Sequence, residues 1–138
     1  MLWRDIYATG DEAVDNEHKE IFAMVQRILD DDFKGRPDKI KKSVDFLVDY
    51  VARHFGHEEH LMDESDFPDK ETHIKEHVDF VASVQSLMER VENNLDSIDL
   101  SMEINQTIVG WLAEHTMNKD KKMADYYKAW KVTNRRPS

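Results

Sequence analysis

Apolar residues recur three and four positions apart in four long stretches of the chain, and each stretch predicts an amphipathic helix. The first runs from about Glu12 to Asp32, with Val14, His18, Ile21, Phe22, Val25 and Leu29 on one stripe. The second runs from about Pro37 to Glu64, with Ile40, Val44, Leu47, Val51, His54, Phe55, Glu58 and Leu61 on its stripe. The third spans about 68–93 and turns His73, His77, Phe80, Val84, Leu87 and Val91 inward. The fourth starts near Asp99 or Ser101, reaches about Met117, and carries Ile104, Ile108, Trp111, Leu112 and His115 inward. Thr9-Gly10-Asp11, Phe33-Lys34-Gly35-Arg36 and Ser65-Asp66-Phe67-Pro68 punctuate the pattern, and Pro37 and Pro68 suit the first turn of a helix. Trp3, Ile6 and Tyr7 read as anchors of an N-terminal arm, and Asn134–Ser138 as a frayed tail. Connections this short imply antiparallel neighbours. The expected fold is all-α, an up-down-up-down antiparallel four-helix bundle with a short C-terminal helix over about 121–130.

Polar residues interrupt those inner stripes in an ordered way. His18, His54 with Glu58, His73 with His77, and His115 with Asp120 stand mostly where a core residue belongs. Burying so many polar groups without partners costs roughly 2 kcal/mol or more for each. Residues four apart on an α-helix lie about 40° apart on one face, so His54 with Glu58 and His73 with His77 form two clamps. His115 and Asp120 are five apart. That is about 500° of rotation, or roughly 140° off a common face. For both to bind one centre the fourth helix must end or bend, and Met117-Asn118-Lys119 is the expected break, with Asn118 tolerant of left-handed backbone.

The donor set is rich in nitrogen, which suits iron, zinc or copper and excludes oxygen cages for Mg or Ca. Seven donors exceed one tetrahedral zinc site and suit two metals with bridging carboxylates. The ferritin-like alternative requires Glu three residues before a histidine on two helices. The residues at that offset are Asp15, Val51, His54, His57, Lys70, Ile74 and Leu112, none of them Glu. His57 and His60 rotate away from His54, and both are expected at solvent or the helix edge without a role. Met24, Met62 and Met88 read as core or edge filler, and Lys119, Lys121 and Lys122 as a solvated face.

Composition narrows the picture. A chain of 138 residues suits one domain, 1–138, and four Gly and three Pro favour a few long helices. The net charge of -10 speaks against nucleic acid and anionic lipid, and a solvated surface accounts for it. The lack of cysteine removes disulfides, thiolate zinc sites, iron–sulfur clusters and thiol catalysis. No run of about 18 apolar residues is present, and Met-Leu-Trp-Arg-Asp is not a signal-peptide core, so a soluble cytoplasmic protein without a membrane partner is expected.

Four segments, in order, resemble the motifs of the hemerythrins. They are Val14-Asp15-Asn16-Glu17-His18-Lys19, His54-Phe55-Gly56-His57-Glu58-Glu59, Phe67-Pro68 followed by His73 and His77, and Trp111-Leu112-Ala113-Glu114-His115 followed by Asp120. The long interval from His77 to His115 is more similar to the bacterial hemerythrins than to the shorter animal carriers. The resemblance implies two iron ions with a bridging oxo or hydroxo group, and reversible binding of O2 as a hydroperoxide at one iron. It implies that His73, His77 and His115 hold one iron, that His18 and His54 hold the other with a position left open, and that Glu58 and Asp120 bridge them. In that scheme the net charge of the site is unchanged by O2 binding, because the bridge proton moves onto the bound dioxygen, and a low-dielectric core favours reversibility. Leu112, one turn before His115, is expected to wall the O2 pocket, with Ile21, Phe22, Phe55 and Trp111 completing it. Two residues depart from the family pattern. Thr116 stands where an apolar residue is usual, and its hydroxyl is expected to admit water or meet the bound ligand. Asp11 also replaces an apolar residue, which puts the packing of the arm in question.

The resemblance therefore implies an O2-binding protein for storage, delivery or scavenging, and not an enzyme. A di-iron peroxidase or nitric-oxide reductase is the enzymatic alternative, although no acid behind the ligands and no reductase docking site stand out in the sequence. A redox, oxygen or iron sensor is the third class, in which an unidentified protein partner reads the site.

Overall fold

The first helix is fixed at its start by a small polar network. Asp11 accepts the Val14 N–H at 3.0 Å, the bond of an N-cap side chain to the third residue of its helix. Asp15 reaches back to accept from Thr9 N, Thr9 Oγ1 and Gly10 N at 2.8, 2.7 and 3.3 Å. Gly10 makes the turn possible with φ of 91°, a left-handed conformation that costs glycine little. The departure at Asp11 is thus a helix cap, and it fixes the arm instead of loosening it.

The structure is a computed structural model and describes residues 3–33, 37–94 and 100–134, apart from the side chains of 31–33, 37–38, 91–94 and 100–101. The turn expected at 34–36, the inward Val91, the helix start near Asp99 and the tail over 135–138 lie outside the described residues. After a short 3-10 turn, Asp5–Tyr7, come α1 (Glu12–Phe33), α2 (Pro37–Ser65) and α3 (Lys70–Asn94). The remaining run comprises α4 (Leu100–Ile104), a π-helical segment Asn105–Val109, α5 (Gly110–Glu114), a second π-helical segment His115–Asp120, and α6 (Lys121–Thr133). Among the described residues the secondary structure is entirely helical.

Helix α2 ends in a Schellman motif. Phe67 N–H donates to Met62 O at 2.9 Å and Asp66 N–H to Asp63 O at 3.3 Å, with Asp66 left-handed at φ 54°. This turn delays α3 to Lys70, two residues beyond its expected start at Pro68.

The four runs close a ring of contacts. α1 packs on α2, α2 on α3, α3 on the first π segment, and α4 back on α1, while α6 also meets α2. Where side chains are described, the stripes read from the sequence face inward, with two adjustments: in α1 Ile28 is fully buried and Leu29 only packs against the core, and in the last run Trp111 is half-buried. The larger apolar cluster includes Ile21, Phe22, Val44, Leu47, Phe55, Phe80, Val84 and Leu112. A smaller cluster joins Met62, Phe67, Met123 and Ala124. Along α2 and along the last run, the polar interruptions fall between these two clusters. Among the described residues no helix is long and apolar enough to cross a membrane.

Candidate metal centre

The expected break at Met117–Lys119 does not occur. Helical backbone continues from Glu114 through Lys121, and Asn118 is not left-handed. The chain instead widens into the π-helical segment His115–Asp120. A π turn closes on a residue five positions away, so side chains five apart share a face. His115 Nε2 and Asp120 Oδ1 meet at 2.9 Å with the helical backbone unbroken. The same interval that is off-register in an α-helix is in register here.

All seven candidate donors are buried, none more than 4% exposed. They form two groups, Glu58 with His73, His77, His115 and Asp120, and Glu58 with His18, His54 and Asp120. The two carboxylates belong to both groups because each divides its oxygens. Glu58 turns Oε2 to His18 and His54, at 3.8 and 3.4 Å from their Nε2 atoms, and Oε1 to His73 and His77, at 3.6 and 3.1 Å. Asp120 turns Oδ2 to His18 at 2.9 Å, and Oδ1 to His73 and His115 at 3.1 and 2.9 Å.

The imidazoles converge in the same two groups. His18 and His54 bring their Nε2 atoms to 3.0 Å. His115 Nε2 lies 3.2 Å from both His73 Nε2 and His77 Nε2. Nitrogen donors about 2.1 Å from one metal and at right angles stand ~3.0 Å apart, close to these separations. Both Glu58 oxygens and Asp120 Oδ1 are buried without an aligned hydrogen bond. Orphaned carboxylate oxygens carry the full penalty of desolvation unless a cation meets them. The donor set fits metal ions, and the cluster is able to hold them.

The protein field points the same way. Burial acts to lower the pKa of His18, but Asp120 and Glu58 outweigh it and hold it at about 9. Burial likewise opposes charge on His54 and His73, and the neighbouring carboxylates raise them to about 10 and about 9. At His77 burial prevails and the pKa falls. Glu58 and Asp120 are pushed up by burial yet end well below the usual carboxylate range, because the surrounding histidines hold them ionised. In the absence of metal, the centre is a negative hole that retains protons to balance itself.

Two carboxylates stand behind the candidate ligands. Glu17 Oε1 lies 3.0 Å from His54 Nδ1. Glu76 Oε2 lies 3.5 Å from His115 Nδ1, with Lys119 Nζ 4.0 Å from its other oxygen. The sequence showed no acid behind the ligands, and the structure supplies two. Nothing in the α period marks them, since their role depends on how α1 faces α2 and how α3 faces the last run. The assignment of His57 also changes: it is half-buried, with Nδ1 2.7 Å from Glu17 Oε1. His60 is exposed, as its rotation predicts.

Aromatic plates hold the rings of the three-histidine group. Phe55 stacks on His77 with centroids 3.7 Å apart, and Trp111 stacks on His115 at 4.3 Å. Phe80 backs Trp111 at 4.2 Å. Of the residues expected around an O2 pocket, Ile21, Phe22, Phe55, Leu112 and Thr116 are buried, and Trp111 is half-buried against the larger core. Phe55 and Trp111 therefore brace His77 and His115, whereas Ile21, Phe22 and Leu112 contribute only to the apolar cluster, to which Phe55 also belongs.

Comparison with known proteins follows the same residues. The hemerythrin HHE cation binding domain matches residues 9–127. The chain is 30% identical over 120 residues to a bacteriohemerythrin of Pseudomonas aeruginosa, covering 87% of this chain and 76% of the relative. It is 28% identical over 129 residues to the bacteriohemerythrin of Clostridium acetobutylicum (91% and 99% covered) and 29% identical over 122 residues to that of Methylococcus capsulatus (88% and 92% covered).

Proposed function

We propose that this chain, which belongs to the hemerythrin family, holds two iron ions in the buried centre and binds O2 there reversibly, for storage, delivery or scavenging. The observation that carries the reading is the division of Glu58 and Asp120 between two groups of histidines, one oxygen to each. In this reading His73, His77 and His115 would hold one iron, His18 and His54 would hold the other, and Glu58 and Asp120 would serve both. Residues 1–138 are taken as a single domain folded up-down-up-down with antiparallel neighbours, for which the short connections speak.

When bound, a pair of ferrous ions supplies the two electrons that O2 takes up and gives back. The chain's own part is to set the ligands and keep water away. Glu17 is held below the usual carboxylate range: burial raises it, but the bonds from His54 and His57 outweigh burial. An ionised carboxylate only accepts, so His54 carries its proton on Nδ1 and presents the Nε2 lone pair to the centre. The stacked Phe55 and Trp111 fix the planes of His77 and His115. Leu112, Ile21 and Phe22 supply an apolar surround that admits O2 more readily than water or ions.

A second reading, redox turnover as a peroxidase or nitric-oxide reductase, is favoured by the buried Glu76 oxygen beside His115. One experiment separates them. Iron-loaded protein is reduced without air, exposed to O2, then flushed with argon, while the visible spectrum is followed. A band that appears with O2 and fades under argon supports reversible binding. Direct passage to a stable ferric spectrum supports redox turnover or sensing instead.

A further inference from the structure

We propose that His57 tunes a ligand it does not touch: it donates a second hydrogen bond to the Glu17 oxygen that His54 already uses, and so weakens the pull of that carboxylate on His54. The inference rests on the reading of His54 as an iron ligand.

Both imidazoles address the same atom. Glu17 Oε1 is 2.7 Å from His57 Nδ1 and 3.0 Å from His54 Nδ1. Because an ionised carboxylate has no proton to give, each Nδ1 is the donor. Two donors on one oxygen share its charge, and each makes it a poorer acceptor for the other. The shorter bond belongs to His57. His54 therefore receives less of Glu17 than it would alone.

The effect falls unevenly on the two metal groups. His18 and His77 have buried Nδ1 atoms without a partner, and Glu76 stands 3.5 Å from His115 Nδ1. His54, in the two-histidine group, has the closer carboxylate. A carboxylate that draws the Nδ1 proton more strongly makes a ligand imidazole a better electron donor, and this favours the ferric state. Two substitutions at one hydrogen-bonded cluster should thus act in opposite directions. Loss of His57 strengthens the grip of Glu17 on His54 and speeds oxidation in air. Loss of Glu17 removes the grip and slows oxidation.

The test compares His57→Phe, His57→Asn and Glu17→Gln with the unaltered 138-residue chain. Zinc-loaded protein, which is diamagnetic, gives the His54 Nδ1–H proton by NMR. Iron-loaded, reduced protein gives the rate of oxidation in air. The expected result for His57→Phe is a downfield move of the His54 Nδ1–H signal with oxidation about threefold faster or more. Glu17→Gln should move both readings the other way, and His57→Asn, whose amide can replace the lost donor, should restore both. An unmoved His54 signal and an unchanged rate in His57→Phe would overturn the inference. So would a shift in the same direction as Glu17→Gln, because His57 would then only steady Glu17. Should the unaltered iron protein show no reversible band with O2, the functional reading fails on its own, and the zinc spectra still decide whether His57 acts on His54.

Discussion

Glu58 is the most demanding side chain in the molecule. It is fully buried, and neither of its oxygens has an aligned hydrogen bond. A group in that state calls for positive charge beside it, from a bound metal or, without one, from the protonated histidines around it. The opposite problem sits at Thr116, a hydroxyl buried next to His115 where an apolar side chain would be easier to accommodate. Thr116→Ile should slow oxidation of the reduced iron protein in air several-fold by removing a foothold for water; stopped-flow traces with equal rates for the two proteins would rule this out. Six of the seven candidate donors were legible in the sequence because each takes the place of an apolar residue on an otherwise regular stripe, whereas Asp120, five residues after His115, lies off that stripe in an α-helix. Glu17, Glu76 and His57 were not. They lie off the stripes, and what they do depends on how neighbouring helices are rotated against each other, which no periodicity within one helix encodes.

At the level of elements, the widened turn at His115–Asp120 does two things. It aligns two donors five residues apart, and it sets the phase of α6, whose Met123 and Ala124 complete the smaller core. Deleting Met117, a residue near the surface, would remove the extra position. An α turn would then hold the shortened His115-to-Asp120 interval on one face, about 40° apart, and α6, which continues directly from Asp120, would keep its phase. Met123 and Ala124 would stay in their cluster, and the deletion should cost less than about 1 kcal/mol. Urea unfolding of the metal-free deletion variant checks this; a markedly lowered midpoint would mean that the widened turn holds the fold in some way beyond aligning Asp120. The ends of the first three helices were readable to within about two residues from Pro, Gly and acidic punctuation, whereas the end expected near Met117 is absent and the last helix runs on to Thr133. The widened turn was not readable, because five-residue spacing fits a break as well as it fits a π turn, and only the backbone bonding pattern decides.

For the whole molecule, the centre joins four helical runs between two apolar clusters, so a metal bound there and the fold would stabilise each other. A ligand at a thousand times its dissociation constant adds about 4 kcal/mol at each site. Removal of metal by a chelator should therefore lower the thermal midpoint by at least ~10 °C, and reloading should restore it. A midpoint insensitive to chelation would show that the bundle stands without its centre.

The order of the donors along the chain has a consequence for synthesis. Asp120 comes last, about a hundred positions after His18, and it serves both groups. A growing chain can offer the histidine pairs of its earlier helices, but neither group is complete before residue 120 has been made. The full set of donors therefore arises only after α1, α2 and α3 have been made, while α6, which completes the smaller core, is still to come.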